Sequence, residues 1–159
     1  MQNYARRVLD SSLGPELTEE EAQTLSSTMT LRDLADGEFL TTEGGRDDSL
    51  HLLLEGKLEV VKKAGAGETA TLGILREGEL AGELSFIDGA PHTVGLRALC
   101  DSQVFTLDRE SFEGFVDSHP HIVYKVMRTI VRSAHRTLSR MNVEFIELSN
   151  YIFKQHGRY

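Results

Sequence analysis

Apolar and polar positions change rhythm twice along the chain. Over the first thirty residues Tyr4, Val8 and Leu9 share one face at helical spacing. Thr18 followed by Glu21 is a capping-box pattern, and it predicts a helix running to about Thr28. From about Thr30 to Asp108 the apolar residues come in short runs, broken by Gly37, Gly44-Gly45, Gly56, Gly65, Gly67, Gly73, Gly78, Gly82 and Gly89. Val94, Leu96, Ala98 and Cys100 alternate with Thr93, Gly95, Arg97 and Leu99. Period two marks a strand with one buried face, and it places Cys100 inside. SLHLLLEGKLEVVKK reads as two strands around a tight turn at Glu55-Gly56. Many short strands between glycine turns suggest a sandwich, jelly roll or barrel.

After Leu107 the helical rhythm returns. Asp108 can cap a short helix through about Val116. Pro120 then stands near the start of a long helix, where its missing N–H costs little. No proline or glycine occurs from Ile122 to about Phe153. Within that run Val131, Ala134, Leu138, Met141, Phe145, Leu148 and Ile152 repeat at alternating steps of three and four, a heptad seam. The seam extends on the order of 30 Å at 1.5 Å per residue, which is long for one side of a small roll. A parallel two-helix dimer is the expected partner, and packing against the same chain is the alternative. Arg128, Arg132, Arg136 and Arg140 recur every fourth residue on a flank of this helix. They read as a solvated basic face, as a dock for an acidic partner, or as a reach toward a pocket.

Composition narrows the class. The 159 residues suffice for one domain with a real core, and 40 % hydrophobic with 26 % charged content is ordinary for a globular protein. No apolar run approaches membrane-spanning length, and no signal-peptide pattern follows Arg6 and Arg7. Cys100 is the single cysteine, so no internal disulfide forms; a reducing, cytoplasmic setting is expected. The net charge of −8 is uneven: residues 121–159 carry +5 and the first 120 carry −13. An acidic body argues against a nucleic-acid surface there.

Two stretches carry a family resemblance. LADGEFLTTEGGRDDSLHLLLEGKLEVV holds a glycine-turn pattern of strand, turn and strand, and LREGELAGELSFIDGAPHTVGLRAL holds a Gly-Glu-Leu entry, a turn, a Pro-His pair and a strand. Together, in order, they resemble the cyclic nucleotide-binding domain of catabolite-activator-type regulators and protein kinase A regulatory subunits, from roughly Leu31 to Met141. The resemblance implies an α+β, mainly β fold: a β-roll or jelly roll with flanking N-terminal helices and a long C-terminal helix. The expected organisation is residues 1–30 as N-terminal helices, 31–118 as the roll with its short helix, and 119–159 as the dimerisation helix, one domain overall.

The resemblance also implies a ligand site. Gly82, Glu83, Leu84 and Ser85 would open a helical turn whose amides face a cyclic phosphate, with glycine permitting close approach. Glu83 stands where the family's glutamate accepts from the ribose 2′-hydroxyl. The family's arginine after the proline is here His92, followed by Thr93 and Val94. An imidazole lacks the charge-assisted fork of a guanidinium, and two readings of His92 stand: a weakened phosphate donor or a loop histidine. Arg97 lies five residues on, and alternation points it away from the face of His92. Thr137 falls where some bacterial members place a base-contacting hydroxyl. The implied ligand is a cyclic nucleotide such as cAMP, cGMP or a cyclic dinucleotide.

Enzyme chemistry finds little support. His119-Pro120-His121 has the short spacing of a cupin metal motif, but it opens a helix and lacks a matching carboxylate and third histidine nearby. No nucleophile elbow, Walker loop or cysteine pair is present, and Gly65, Gly67 and Gly73 read as turn glycines. After the long helix only KQHGRY remains, too short for a DNA-recognition unit. The expectation is a non-enzymatic sensory module that binds a cyclic nucleotide or related anion, pairs through Val131, Ala134, Leu138, Met141, Phe145 and Leu148, and acts on a separate protein. The alternative is a ligand-free scaffold that kept the fold and lost the pocket.

Overall fold

The computed structural model describes residues 3–156. In chain order the helices are α1 (Tyr4–Leu9), α2 (Glu19–Thr28), α3 (Glu83–Asp88), α4 (Arg109–Glu113), α5 (Phe115–Ser118) and α6 (Pro120–His156). The strands are β1 (Thr30–Leu34), β2 (Phe39–Thr41), β3 (Ser49–Glu55), β4 (Leu58–Lys63), β5 (Thr69–Leu75), β6 (Leu80–Ala81), β7 (Gly95–Ala98) and β8 (Ser102–Asp108). The chain divides into two units, one through Lys125 and one from Val126.

The first unit is a β-roll of two four-stranded sheets, ordered β1-β8-β3-β6 and β2-β7-β4-β5, with antiparallel pairing throughout. Leu34, Leu53, Ala81 and Val104 from one sheet meet Leu40, Leu58, Leu96 and Ala98 from the other in a buried core. Strand alternation drives this packing. Leu53 faces that core, so Leu50, Leu52 and Leu54 of the same strand turn to the opposite face, where they are also buried. A strand buried on both faces reads as a continuous apolar run, which explains the LHLLL texture. Phe105 of β8 stacks on Tyr4 of α1 with ring centroids 5.0 Å apart.

The helix signals in the sequence are realised by their stated physics. Thr18 accepts from the Glu21 N–H while the Glu21 carboxylate takes the Thr18 N–H, closing the capping box that starts α2. Glu21 also receives Lys125 Nζ at 2.9 and 2.7 Å, which ties the start of α6 to α2. Asp108 caps α4 through the Ser111 N–H at 2.8 Å.

Three local expectations are corrected. Glu55-Gly56 does turn the chain, but β3 and β4 lie in different sheets, so the pair is a corner between sheets rather than a hairpin. Cys100 is exposed, because β7 ends at Ala98 and the alternation ends with it. Gly73 sits within β5 beside a register shift opposite Val60 and Val61, a strand irregularity rather than a turn.

The second unit is the remainder of α6. Its seam side chains Val131, Leu138, Met141, Phe145, Leu148 and Ile152 are exposed, Phe145 at 69 %, and Ala134 is half-buried. Among the described residues no helix is long and apolar enough to cross a membrane.

Candidate functional site

The roll brings Gly82, Ser85 and His92 together. β6 ends at Ala81, and Gly82 takes a left-handed φ of +77° to turn the chain into α3. A Cβ at Gly82 would sit 2.8 Å from the Ser49 carbonyl oxygen and 3.4 Å from Cδ2 of His51. Glycine is therefore required here on two counts, backbone angle and close approach of β3. Within α3 the Phe86 N–H donates to the Gly82 carbonyl at 2.9 Å. The preceding amides, those of Leu84 and Ser85 among them, have no carbonyl inside the helix to bond. Leu84 is 65 % exposed, Glu83 half-buried, Ser85 buried, Thr93 exposed and Val94 half-buried.

His92 is not a solvated loop histidine. It is 8 % exposed, and its Nδ1 lies 3.1 Å from the Ser85 Oγ. Its Cε1 lies 3.9 Å from the position a Gly82 Cβ would take, so the ring lies along the first turn of α3. Nε2 is shielded from solvent and has no hydrogen-bond partner. A buried polar atom left in this state costs about 1–3 kcal/mol.

The backbone of His92 is clamped from a loop far away in sequence. The His92 N–H donates to the Gly45 carbonyl at 2.9 Å, and the Gly44 N–H donates to the His92 carbonyl at 2.7 Å. That loop is anchored in turn at Asp47. Asp47 Oδ2 lies 2.8 Å from Nε2 of His51, and Oδ1 accepts the Ser49 N–H at 3.1 Å. The hydrogen bond from His51 holds the Asp47 carboxyl down at about 2. Nδ1 of His51 is left to Thr106 Oγ1 at 2.9 Å. Sequence reasoning missed this trio because Thr106 lies on β8, 55 residues from His51. The available signal was His51 itself, a lone polar residue inside LHLLL on the same parity as the core residue Leu53.

Lys62 and Arg109, which both touch the segment, are engaged with its carbonyls and with acids. Lys62 Nζ donates to the Thr93 carbonyl at 2.8 Å and to Glu43 at 3.2 Å. Arg109 donates to the carbonyls of Phe86 at 2.8 Å and Ser85 at 3.3 Å, with Asp48 at 3.8 Å. Arg97 turns away, as alternation requires, and forks onto the buried Glu59 while its guanidinium lies 5.9 Å from the Phe39 ring centroid. Thr137 lies on α6 in the second unit and is exposed. Among the described residues no group of three or more His, Cys, Asp or Glu side chains is placed to hold a metal ion.

Residues 31–119 match the family of the cyclic nucleotide-binding domain. A CRP-like cAMP-activated global transcriptional regulator of Mycobacterium tuberculosis is 24 % identical over 124 residues, which are 77 % of this chain and 55 % of that protein. The chain thus spans about half the length of that relative. The Thermus thermophilus catabolite activator protein superposes with a TM-score of 0.77 at 26 % identity, covering 87 % of this chain and 63 % of that one. A cyclic nucleotide-binding domain from Methylobacillus flagellatus superposes with a TM-score of 0.73 at 26 % identity, covering 96 % and 84 %.

Proposed function

This chain belongs to the cyclic nucleotide-binding domain family, and from that premise we propose that it is a regulatory ligand-binding module rather than an enzyme. The cassette of Gly82, Glu83, Leu84, Ser85, His92, Thr93 and Val94 receives a ligand of the nucleotide class. The amides at the start of α3 face the ligand, and the Glu83 carboxylate accepts from a sugar hydroxyl. Two copies pair in parallel through Val131, Ala134, Leu138, Met141, Phe145 and Leu148, whose exposed apolar seam suits a two-stranded coil. A ligand that prefers one arrangement of the pair shifts an existing equilibrium, and a separate protein reads the result.

The supporting observation is the convergence of His92, Ser85 and Gly82 at the first turn of α3. Calorimetric titration with cyclic AMP, cyclic GMP, a cyclic dinucleotide and the parent nucleosides tests ligand binding. Light scattering with and without ligand tests the pairing. Saturable heat lost in a Glu83→Ala variant supports the reading. A second reading, a ligand-free interaction scaffold, is favoured by the packed and shielded ring of His92. Absence of heat from every compound at millimolar concentration, with a stable dimer, would establish that second reading.

A further inference from the structure

We propose that β5 is an interaction edge for a second copy of this chain, pairing with β5 of that copy as antiparallel strands. Each sheet of the roll has two edge strands, β1 and β6 in one and β2 and β5 in the other. β2 and β6 have three and two residues, and β1 carries Arg32 and Asp33 within its five. β5 is the longest of the four, seven residues reading TATLGIL, with no charge and no proline. Short length, charge and proline are devices that keep an edge from pairing. β5 has none of these three, and the side of its backbone away from β4 offers N–H and C=O groups to a further strand.

Self-complementarity identifies the occupant. Leu72 has no partner on β4, since the register passes from Gly73 opposite Val60 to Thr71 opposite Val61, and it is 59 % exposed. Ile74 is 40 % exposed. Set antiparallel with Leu72 opposite Leu72 of the other copy, β5 pairs Thr71 with Gly73, Ala70 with Ile74 and Thr69 with Leu75, each twice by symmetry. Glu68 and Arg76, one residue before and one after the strand, then fall opposite each other at both ends. Both are exposed, and among the described residues no ion pair engages either side chain. Opposite charges facing each other across strands stabilise a pairing. Parallel strands would instead set Glu68 against Glu68 and Arg76 against Arg76, which is destabilising. A slip of two residues moves each charge about 7 Å from its opposite.

The irregularity at Leu72 fits this axis. A bulge bends its strand and so disfavours a regular partner. On the twofold axis each bulge meets its own copy, bent to the same extent. The contact is one strand wide and mostly main-chain, the mode of strand addition, so the association is weak and concentration-dependent. It uses β5 alone. It is separate from the α6 seam and from the cassette, and it stands or falls independently of both.

The test is sedimentation of the full chain across a concentration series, carrying Phe145→Glu to remove the proposed α6 pairing so that association reports on β5. That chain is expected to form dimers. Adding Glu68→Arg or Arg76→Glu should weaken them at least about tenfold, the scale of opposite charges turned into like ones at both ends. Glu68→Arg and Arg76→Glu together should restore them. A disulfide scan in a Cys100→Ser background reads the register by a second route. Leu72→Cys is expected to cross-link two copies on mild oxidation. Thr69→Cys, also exposed on β5 but about 20 Å from its own copy in this register, is not. No dimer in the Phe145→Glu chain together with no Leu72→Cys cross-link overturns the proposal. Dimers that both charge reversals leave unchanged overturn it too, as does cross-linking through Thr69→Cys as readily as through Leu72→Cys.

Discussion

Asp47 and His51 are joined at 2.8 Å through Oδ2 and Nε2, and this pair links the sheet to the loop that clamps His92. His51 sits on β3, facing the roll interior, with 2 % of its surface exposed. Gly44 and Gly45, three and two residues before Asp47, carry the two backbone bonds to His92. A chain of contacts therefore runs from Thr106 on β8 to the cassette.

The Asp47–His51 pair makes stability pH-dependent in a stated direction. Its folded-state carboxyl value is lowered to about 2 from 3.8. Its contribution is therefore fully present above about pH 4 and is lost as pH falls through about 2. The carboxylate is 35 % exposed, so screening reduces the effect to about 1 kcal/mol. Urea unfolding of wild type and Asp47→Asn at pH 6, 4 and 2 should show a gap that closes at the lowest pH. A constant gap would mean that the carboxylate is not held by His51.

Gly82→Ala should destabilise the roll by about 2–3 kcal/mol, combining left-handed backbone strain with collision against the Ser49 carbonyl. Chemical denaturation measures the loss. Gly37 provides the control, since its φ of +83° is similar but its added Cβ meets nothing within 4 Å. Gly37→Ala should cost less, about 1 kcal/mol.

Removing Arg97 strands the carboxylate of Glu59, which is 6 % exposed and otherwise bonded to Thr71 Oγ1 at 3.2 Å. Arg97→Ala should cost about 1–2 kcal/mol, less than breaking a fully buried pair, because Glu59 is buried while the Arg97 side chain is 45 % exposed. The double variant Arg97→Ala with Glu59→Gln should recover a substantial part of that loss, because no charge is left buried. Equal losses in single and double variants would show that Arg97 acts by packing on Phe39 alone.

Phe145→Glu should weaken the proposed dimer, because a charge enters a seam position of the coil. Light scattering across a concentration series reads the shift toward monomer. Glu147→Gln, off the seam, should leave the assembly unchanged. A wild type that is monomeric at every concentration would remove the pairing from the proposed function.

Thr18–Glu21, Asp108 and Pro120 were legible along the chain because a helix start is a local event, settled by side chains reaching amides three residues away. The alternation of Leu96, Arg97 and Ala98 was legible for the same reason. Where Leu99 and Cys100 stop alternating was not, since a strand ends when its neighbour stops pairing with it. The partners of β3 and β4 were hidden similarly: the sequence marks a turn at Gly56, while the choice of sheet rests on contacts with β8 and β7.

For the site, sequence alone determined which chemical groups are present: a Gly-Glu-Leu-Ser opening, and a histidine after the proline in place of a guanidinium. Only the tertiary structure decided that the histidine lies buried along α3, that Gly44 and Gly45 hold its backbone, and that Asp47 and His51 anchor them. The physical reason is range. Covalent order dictates charge, donor count and local turns, whereas burial and the pairing of Gly45 with His92 depend on sheets closing over segments more than forty residues apart.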